Sequence, residues 1–289
     1  MSKGAKKVNL LEKLQTEQHF SYNEQLIVEF ILKDPEVVLH LSIYDLATQT
    51  NSSTSTIIRL CKKCRVSGFK EFKIILAHDL ATSLRTISEV DANLPFTAKD
   101  TDRMISQKIA RLTTETIEAT QAMLTTQKLN HCVQKIIEAK NIYAIGVSDS
   151  YIRLLDFQTK LLRINMFVRM INLQAEQYHL ALSSQADDVA IMVSYSGRTA
   201  EIVNDAKTFY QNKTPIIAIT SDEHSPLATY ASEVLLLPNK ESAKFKVSNF
   251  SSHLAIEYML NVLYSCIFNR NFERNYEEQQ VTPISKFEF

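Results

Sequence analysis

The chain has 289 residues, 45% of them hydrophobic, with 32 Lys+Arg against 32 Asp+Glu and a formal net charge of zero. That length accommodates two modest domains, and the charge balance means that any nucleic-acid contact must come from a local basic patch. No apolar run reaches the ~18 residues of a membrane helix. The start, "MSKGAKKVNL", lacks the apolar core of a signal peptide, and the 4 cysteines, scattered apart from Cys61 and Cys64, fit reduced thiols in a cytoplasm.

The N-terminal part reads as helices. "NEQLIVEFIL" places Leu26, Ile27, Phe30 and Ile31 at helical spacing, and Asp34-Pro35 stops the run. "SIYDLATQT", a polar break and "STSTIIRLCKKCRV" follow, then "GFKEFKIILAHDLATSL" after Gly68. The stretch "YDLATQTNSSTSTIIRLCKKC" reads as a helix-turn-helix. Ala47 is small where two helices cross. Asn51 falls in the turn, where a left-handed backbone is wanted and Asn tolerates it. Ser52 or Ser53 caps the second helix. At ~100° per residue, Ile57, Leu60, Cys61 and Cys64 share one face, while Ser55, Arg59, Lys62 and Lys63 point the other way.

Between residues 59 and 73, six basic side chains (Arg59, Lys62, Lys63, Arg65, Lys70, Lys73) accompany one acid, Glu71. Short polar residues at the helix start, Ser53, Thr54 and Ser55, suit base edges. Arg59 suits guanine, and Lys62 and Lys63 suit the phosphates of a double-stranded DNA operator. The plainer alternative is a solvated face of a helical bundle. The Cys61-x-x-Cys64 pair lacks a second Cys/His pair at usable spacing, so buried thiols rather than a metal site are expected.

"SEVDANLPFTAKDTD" is polar and contains a proline, the composition of a linker. The expected layout is a helical domain over 1–87, a linker over 88–102, a second domain over 103–270 and a charged tail over 271–289. Two amphipathic helices, "RMISQKIARLTTETIEATQAML" and "KLNHCVQKIIEAK", open the second domain. Short apolar runs follow: "NIYAIG", "MFVRMI", "DVAIMVSY", "PIIAIT" and "EVLLLP". Helix-like segments at Tyr151–Arg163, Glu176–Ser183, Thr199–Tyr210 and Pro226–Ala231 separate them, and "FSSHLAIEYMLNVLYSCIF" closes the domain. The fold class is therefore all-α followed by α/β: a helix-turn-helix domain, then a doubly wound, five-stranded parallel sheet.

Only 4 glycines occur in the whole chain. Gly146 ends the first strand in "YAIGVSDSY", and Gly197 ends the third in "VSYSGRT". Both lie at the C-terminal edge of a parallel sheet, where open α/β domains bind ligands. The helix after Gly197 begins at Arg198 or Thr199, and its free N–H end attracts anions, above all phosphate. Ser148, Ser150, Ser194, Ser196 and Thr199 add uncharged donors. Serines that only cap two helices are the alternative. Gly-Lys-Ser/Thr and a full G-x-G-x-x-G are both absent, which favours a small phosphorylated ligand over a nucleotide and implies no cofactor.

The segments "LATQTNSSTSTIIRLCKKCRVSGFKEFK", "VSYSGRTAEI" and "IIAITSDEHSPLATYASEVLL" resemble the RpiR/MurR-type bacterial transcriptional regulators over roughly residues 5–268. These join an N-terminal helix-turn-helix to a C-terminal SIS (sugar isomerase) domain. The resemblance implies a phosphorylated sugar or amino sugar as effector, and a homodimer or homotetramer. By motif, Ser150, Ser194, Ser196 and Thr199 would hold the phosphate, with Gly197 shaping the loop. The Ser53–Lys63 helix would read DNA. Two departures stand out. Ser148 replaces a glycine of the first SIS loop, with the acidic Asp149 beside it, and Arg65 stands where the family commonly has glycine, so that the helix is expected to end differently.

Two other functions compete. An aldose–ketose isomerase would need a general base, for which Glu201, His179 and His253 are the candidates. A SIS domain kept only for oligomerisation would need no ligand. A fused DNA-binding domain has little use in an isomerase, so a regulator and not an enzyme is expected.

Overall fold

The computed structural model describes residues 10–16, 19–86 and 90–281. Two compact units are present, and the chain passes between them at 89/90, 97/98 and 108/109. Val90–Thr97 packs with the C-terminal unit and Ala98–Lys108 with the N-terminal one. Among the described residues no helix is long and apolar enough to cross a membrane.

The N-terminal unit contains α1 (Leu10–Thr16), α2 (Tyr22–Lys33), α3 (Pro35–His40), α4 (Ile43–Gln49), α5 (Thr54–Lys63) and α6 (Phe69–Thr86). Pro35 ends α2 as the sequence indicates, but it also occupies the first turn of α3, where its missing N–H costs nothing. Ile27, Ile31, Val38, Leu46, Ile57, Leu60, Phe72 and Leu76 form the buried core.

The α4–turn–α5 geometry follows from local chemistry. Asn51 takes φ 45°, and the N–H groups of Asn51 and Ser52 return to the carbonyls of Thr48 and Ala47 at 3.3 and 2.9 Å. This closes α4 with a Schellman turn. Ser53 then caps α5, its hydroxyl accepting from the Thr56 N–H at 3.2 Å. At its other end α5 closes in the same way. Arg65 adopts φ 61°, and the N–H groups of Arg65 and Val66 reach the carbonyls of Lys62 and Cys61, both at 2.9 Å. The expected different ending does not occur: an arginine holds the backbone that glycine would adopt freely.

The C-terminal unit continues with α7 (Asp102–Met123), within which the last unit boundary falls, and α8 (Thr126–Glu138), β1 (Ile142–Gly146), α9 (Asp149–Leu162) and β2 (Val168–Arg169). Then come α10 (Gln177–Ser183), β3 (Val189–Val193), α11 (Ala200–Gln211), β4 (Ile216–Thr220), α12 (Pro226–Tyr230), β5 (Glu233–Leu236), α13 (Phe250–Arg270) and α14 (Phe272–Val281). The five strands are all parallel, in the order β2-β1-β3-β4-β5.

Strand residues alternate between two cores. Ile142, Ala144, Ile191 and Val193 pack with α8, α9 and α13. Tyr143, Ile145, Ala190 and Met192 pack with α10, α11 and α12. The winding therefore reverses between β1 and β3: α9 leads to β2 on one side, and α11 leads to β4 on the other. That reversal opens a crevice at the strands' C-terminal edge. The strand expected over "MFVRMI" reduces to two paired residues at the sheet edge. The charged stretch after Arg270 is helical through Val281.

Candidate effector crevice and DNA-reading helix

On the N-terminal unit, the exposed side of α5 forms a shallow concavity with Ile43 and Tyr44, lined by Thr54, Ser55, Ile58, Arg59 and Lys62. Ser55, Arg59 and Lys62 are exposed. Ser53 spends its hydroxyl locally, on the cap and on the hydroxyls of Ser55 and Thr56 at 2.7 and 2.9 Å. Lys63 departs from the face its helical phase predicts. Its ammonium lies 2.6 Å from Glu24 Oε2 and 3.0 Å from the His19 carbonyl, so its charge is committed within the unit. Ile57, Leu60, Cys61 and Cys64 are buried, as the helical phase requires. Burial, and then neighbouring Cys64, push the Cys61 thiol up to about 12.

On the C-terminal unit, the crevice between β1 and β3 has a volume of about 570 Å³. Ser148, Ser150, Ser194, Ser196 and Thr199 all line it. Gly146 and Gly197 stand behind these loops. The Gly146 carbonyl accepts from Gln177 Nε2 at 2.9 Å. Gly197 has φ 63°, and a Cβ there would collide with Cβ and Oγ of Ser225 and approach Thr220 Oγ1 to 2.8 Å. Glycine is required at 197 for its backbone and for its packing alike.

The first turns of α9 and α11 carry no side-chain cap from Ser148 or Thr199. The Ser194 and Thr199 hydroxyls lie 3.1 Å apart at the start of α11, and the Ser196 hydroxyl accepts from the Arg198 N–H at 3.3 Å. Helix α13 differs, because the fully buried Glu241 carboxylate occupies its N-terminus. The Ser252 N–H and hydroxyl donate to it at 2.7 and 2.8 Å, and Lys246 Nζ lies 2.9 Å away. An anion seeking a helix N-terminus therefore finds α11 open and α13 taken.

The third wall of the crevice has no motif behind it in the sequence. Asn239, Glu241, Ser242, Lys246, Asn249 and His253 supply it, from the loop after β5 and the start of α13. Tyr195 joins the walls: its hydroxyl donates to the Pro238 carbonyl at 2.8 Å and accepts from the N–H groups of Lys240 and Glu241 at 3.0 and 3.2 Å.

Every cation-capable side chain of the crevice faces a carboxylate. Arg198 pairs with Asp222 at 2.8 Å, Lys246 with Glu241, and His253 Nε2 with Asp149 Oδ2 at 2.9 Å. Asp149 also accepts from Asn249 Nδ2 at 2.8 Å. That amide, together with His253 and Arg153, outweighs burial and holds the Asp149 carboxyl below its ordinary value. The acid next to the first loop is thus turned toward α13. Of the three residues considered as a catalytic base, Glu201 and His179 are exposed and do not line the crevice; His253 does.

A family model described as "Helix-turn-helix domain, rpiR family" matches residues 8–83, and one for the SIS domain matches residues 135–265. An uncharacterised HTH-type transcriptional regulator of Caldanaerobacter subterraneus subsp. tengcongensis is 30% identical over 253 residues, 88% of each chain. The chain belongs to the rpiR family of helix-turn-helix transcriptional regulators. The HTH-type transcriptional regulator HexR of Escherichia coli is 29% identical across 80% of this regulator and 78% of HexR. Vibrio vulnificus NanR, solved in complex with ManNAc-6P, shares the fold, with a TM-score of 0.57 and 24% identity over 94% of this chain and 96% of NanR. The RpiR sugar isomerase domain of Sphaerobacter thermophilus matches 60% of this chain and 95% of its own, with a TM-score of 0.54 and 17% identity. In this rpiR-family regulator, both positions where the resemblance expects glycine retain a positive φ, 53° at Ser148 and 61° at Arg65.

Proposed function

We propose that this regulator binds an operator through α5 and that a phosphorylated sugar or amino sugar in the SIS crevice sets its operator affinity. One observation carries the reading: three hydroxyls, Ser194, Ser196 and Thr199, converge on the uncapped N-terminus of α11. Because every cation in the crevice is already paired, the phosphate is held by neutral donors and the helix end. The sugar then extends toward Asn249, Ser242 and Lys246. The ManNAc-6P bound to the similarly folded NanR supports this class of effector.

On the DNA side, Ser55 and Arg59 read base edges and Lys62 holds phosphate, with Ser53 and Thr54 setting the helix entry. The working unit is a cytoplasmic homodimer or homotetramer, since paired recognition helices match paired half-sites. Catalysis is not part of this reading. Both Glu241 oxygens are occupied, so that carboxylate is committed to the start of α13, and a fused DNA-binding domain has little use in an isomerase.

The test is a thermal-shift and calorimetric screen of hexose 6-phosphates and N-acetylhexosamine 6-phosphates on wild type, Ser196→Ala and Thr199→Ala. A phosphosugar that binds wild type should lose roughly tenfold or more in affinity on removal of either hydroxyl, as expected for a hydrogen bond to a charged group. A screen without any binder would leave the SIS unit as an oligomerisation scaffold. Turnover of a hexose phosphate would overturn the reading.

A further inference from the structure

Residues 90–97 form neither helix nor strand, yet they are fastened to the loop that supplies the third wall of the crevice. Val90 and Ala92 are buried. Asn93 Nδ2 donates to the Lys240 carbonyl at 3.3 Å, its Oδ1 accepts from the Ser242 N–H at 2.5 Å, and its main-chain carbonyl accepts from the Val247 N–H at 2.9 Å. Asp91 Oδ1 orients the residue, accepting from the Asn93 N–H at 2.8 Å and from Nδ2 at 2.9 Å. Burial of Val90 and Ala92 would suffice to hold the segment down. Asn93 does something more specific, because three backbone groups of one loop conformation satisfy both ends of its amide and its carbonyl.

The opposite side of that loop belongs to the crevice. Glu241, Ser242 and Lys246 line it, and Tyr195 pins the loop's start to the "SYSGRT" turn. The chain enters segment 90–97 from the N-terminal unit and returns to that unit at Ala98. A shift of this segment is therefore delivered through the backbone to two of the junctions that tether the DNA-binding unit.

We propose that Asn93 is the positioning residue through which the crevice loop 239–247 biases the DNA-binding unit. In its application to an effector, the proposal rests on the phosphosugar reading above. A ligand that recruits Lys246 or Ser242 moves the loop, and the Asn93 bonds either carry segment 90–97 with it or break. Either way the tether has two discrete arrangements that occupancy can select.

A double-mutant cycle on the full chain tests this without a known ligand. Affinity for a duplex selected from a random library is measured for wild type, Lys246→Ala, Asn93→Ala and the double variant. Lys246→Ala should change DNA affinity by about fivefold, the low end of allosteric coupling, and the change should vanish in the Asn93→Ala background. Asn93→Ala alone should bind DNA as wild type does. Asn93→Asp keeps the acceptor for Ser242 and should restore part of the coupling. Faster amide exchange at Ser242 and Val247 in Asn93→Ala, with a cooperative melt retained, would separate local release from misfolding. An effect of Lys246→Ala that is absent, or equal with and without Asn93, overturns the proposal. A non-additive cycle in a protein that responds to no phosphosugar of the panel would instead remove the phosphosugar reading and leave the coupling standing.

Discussion

Lys63 Nζ lies 2.6 Å from Glu24 Oε2, joining the last turn of α5 to the first turn of α2, and the Glu24 side chain has no solvent exposure. Burial raises the Glu24 carboxyl, but Lys63 and the N–H and hydroxyl of Ser21 together bring it below its ordinary value of 4.5. This pair fixes α5, the proposed DNA-reading helix, against its neighbour. Lys63→Ala should cost about 1–2 kcal/mol in urea denaturation, less than a fully buried pair because solvent screens the partly exposed lysine. The depressed carboxyl gives the sign of the pH dependence. Its stabilisation is complete above the unfolded value near 4.5 and is lost as the pH falls through the folded one. Acid titration of Lys63→Ala should therefore show a shallower loss of stability across that window.

The same geometry separates the two lysines in the proposed DNA contact. Lys62 is exposed on the proposed DNA-reading face, so Lys62→Ala should make the negative slope of log K against log salt shallower by about 0.9. Lys63→Ala should leave that slope unchanged and act on stability alone. Arg59→Ala should relax base specificity and cost roughly 1–3 kcal/mol in operator affinity. Equal salt slopes for the two lysine variants would contradict the assignment.

Arg65 and Ser148 hold positive φ without being glycine. Ser148, at φ 53° and ψ −122°, lies where glycine alone is comfortable. Arg65→Gly and Ser148→Gly should each stabilise the chain by about 1 kcal/mol, once the added chain entropy of glycine is offset. Ser148→Ala keeps the strain and should gain nothing. If the alanine and glycine variants at 148 melt together, backbone strain is not the reason.

At 197 the requirement runs the other way. Gly197→Ala brings both a left-handed backbone and a collision with Ser225. A loss of roughly 2–4 kcal/mol is expected, along with phosphosugar binding. Ser225→Ala keeps the offending Cβ and should not rescue it.

Asp149 remains charged because Asn249, His253 and Arg153 favour its carboxylate. Asp149→Asn removes a negative charge from a crevice proposed to receive an anion. It should tighten phosphosugar binding by roughly two- to fivefold, with a larger gain at low salt. Weaker binding would mean that the ligand uses the carboxylate directly.

What could be read from the sequence was mostly local. Asn51 in the turn and Ser53 at the cap are decided within four residues, and the core face of α5 follows from helical phase. The apolar strand runs show the two-sided burial of a parallel sheet. The partner of Lys63 sits 39 residues away and depends on how two helices cross. The crevice's third wall and the Asn93 contacts come from loops whose polar sequence carries no periodicity. One missed signal was present: Tyr264, Phe268, Phe272 and Tyr276 recur every four residues and touch in succession, first tilted, then edge-on, then stacked. They continue a helical stripe through the charged stretch after Arg270.

Cys61 and Cys132 are both buried, one in each unit, with thiols pushed up to about 12. Only a thiolate reacts quickly with an alkylating agent, so neither is labelled while its surroundings stay closed. Each becomes reactive when its own unit opens, which makes the pair a built-in set of two clocks. Timed labelling, read separately at the two sulfurs, would give the opening equilibrium of the DNA-reading half and of the sugar-isomerase half in one intact chain, with no added probe.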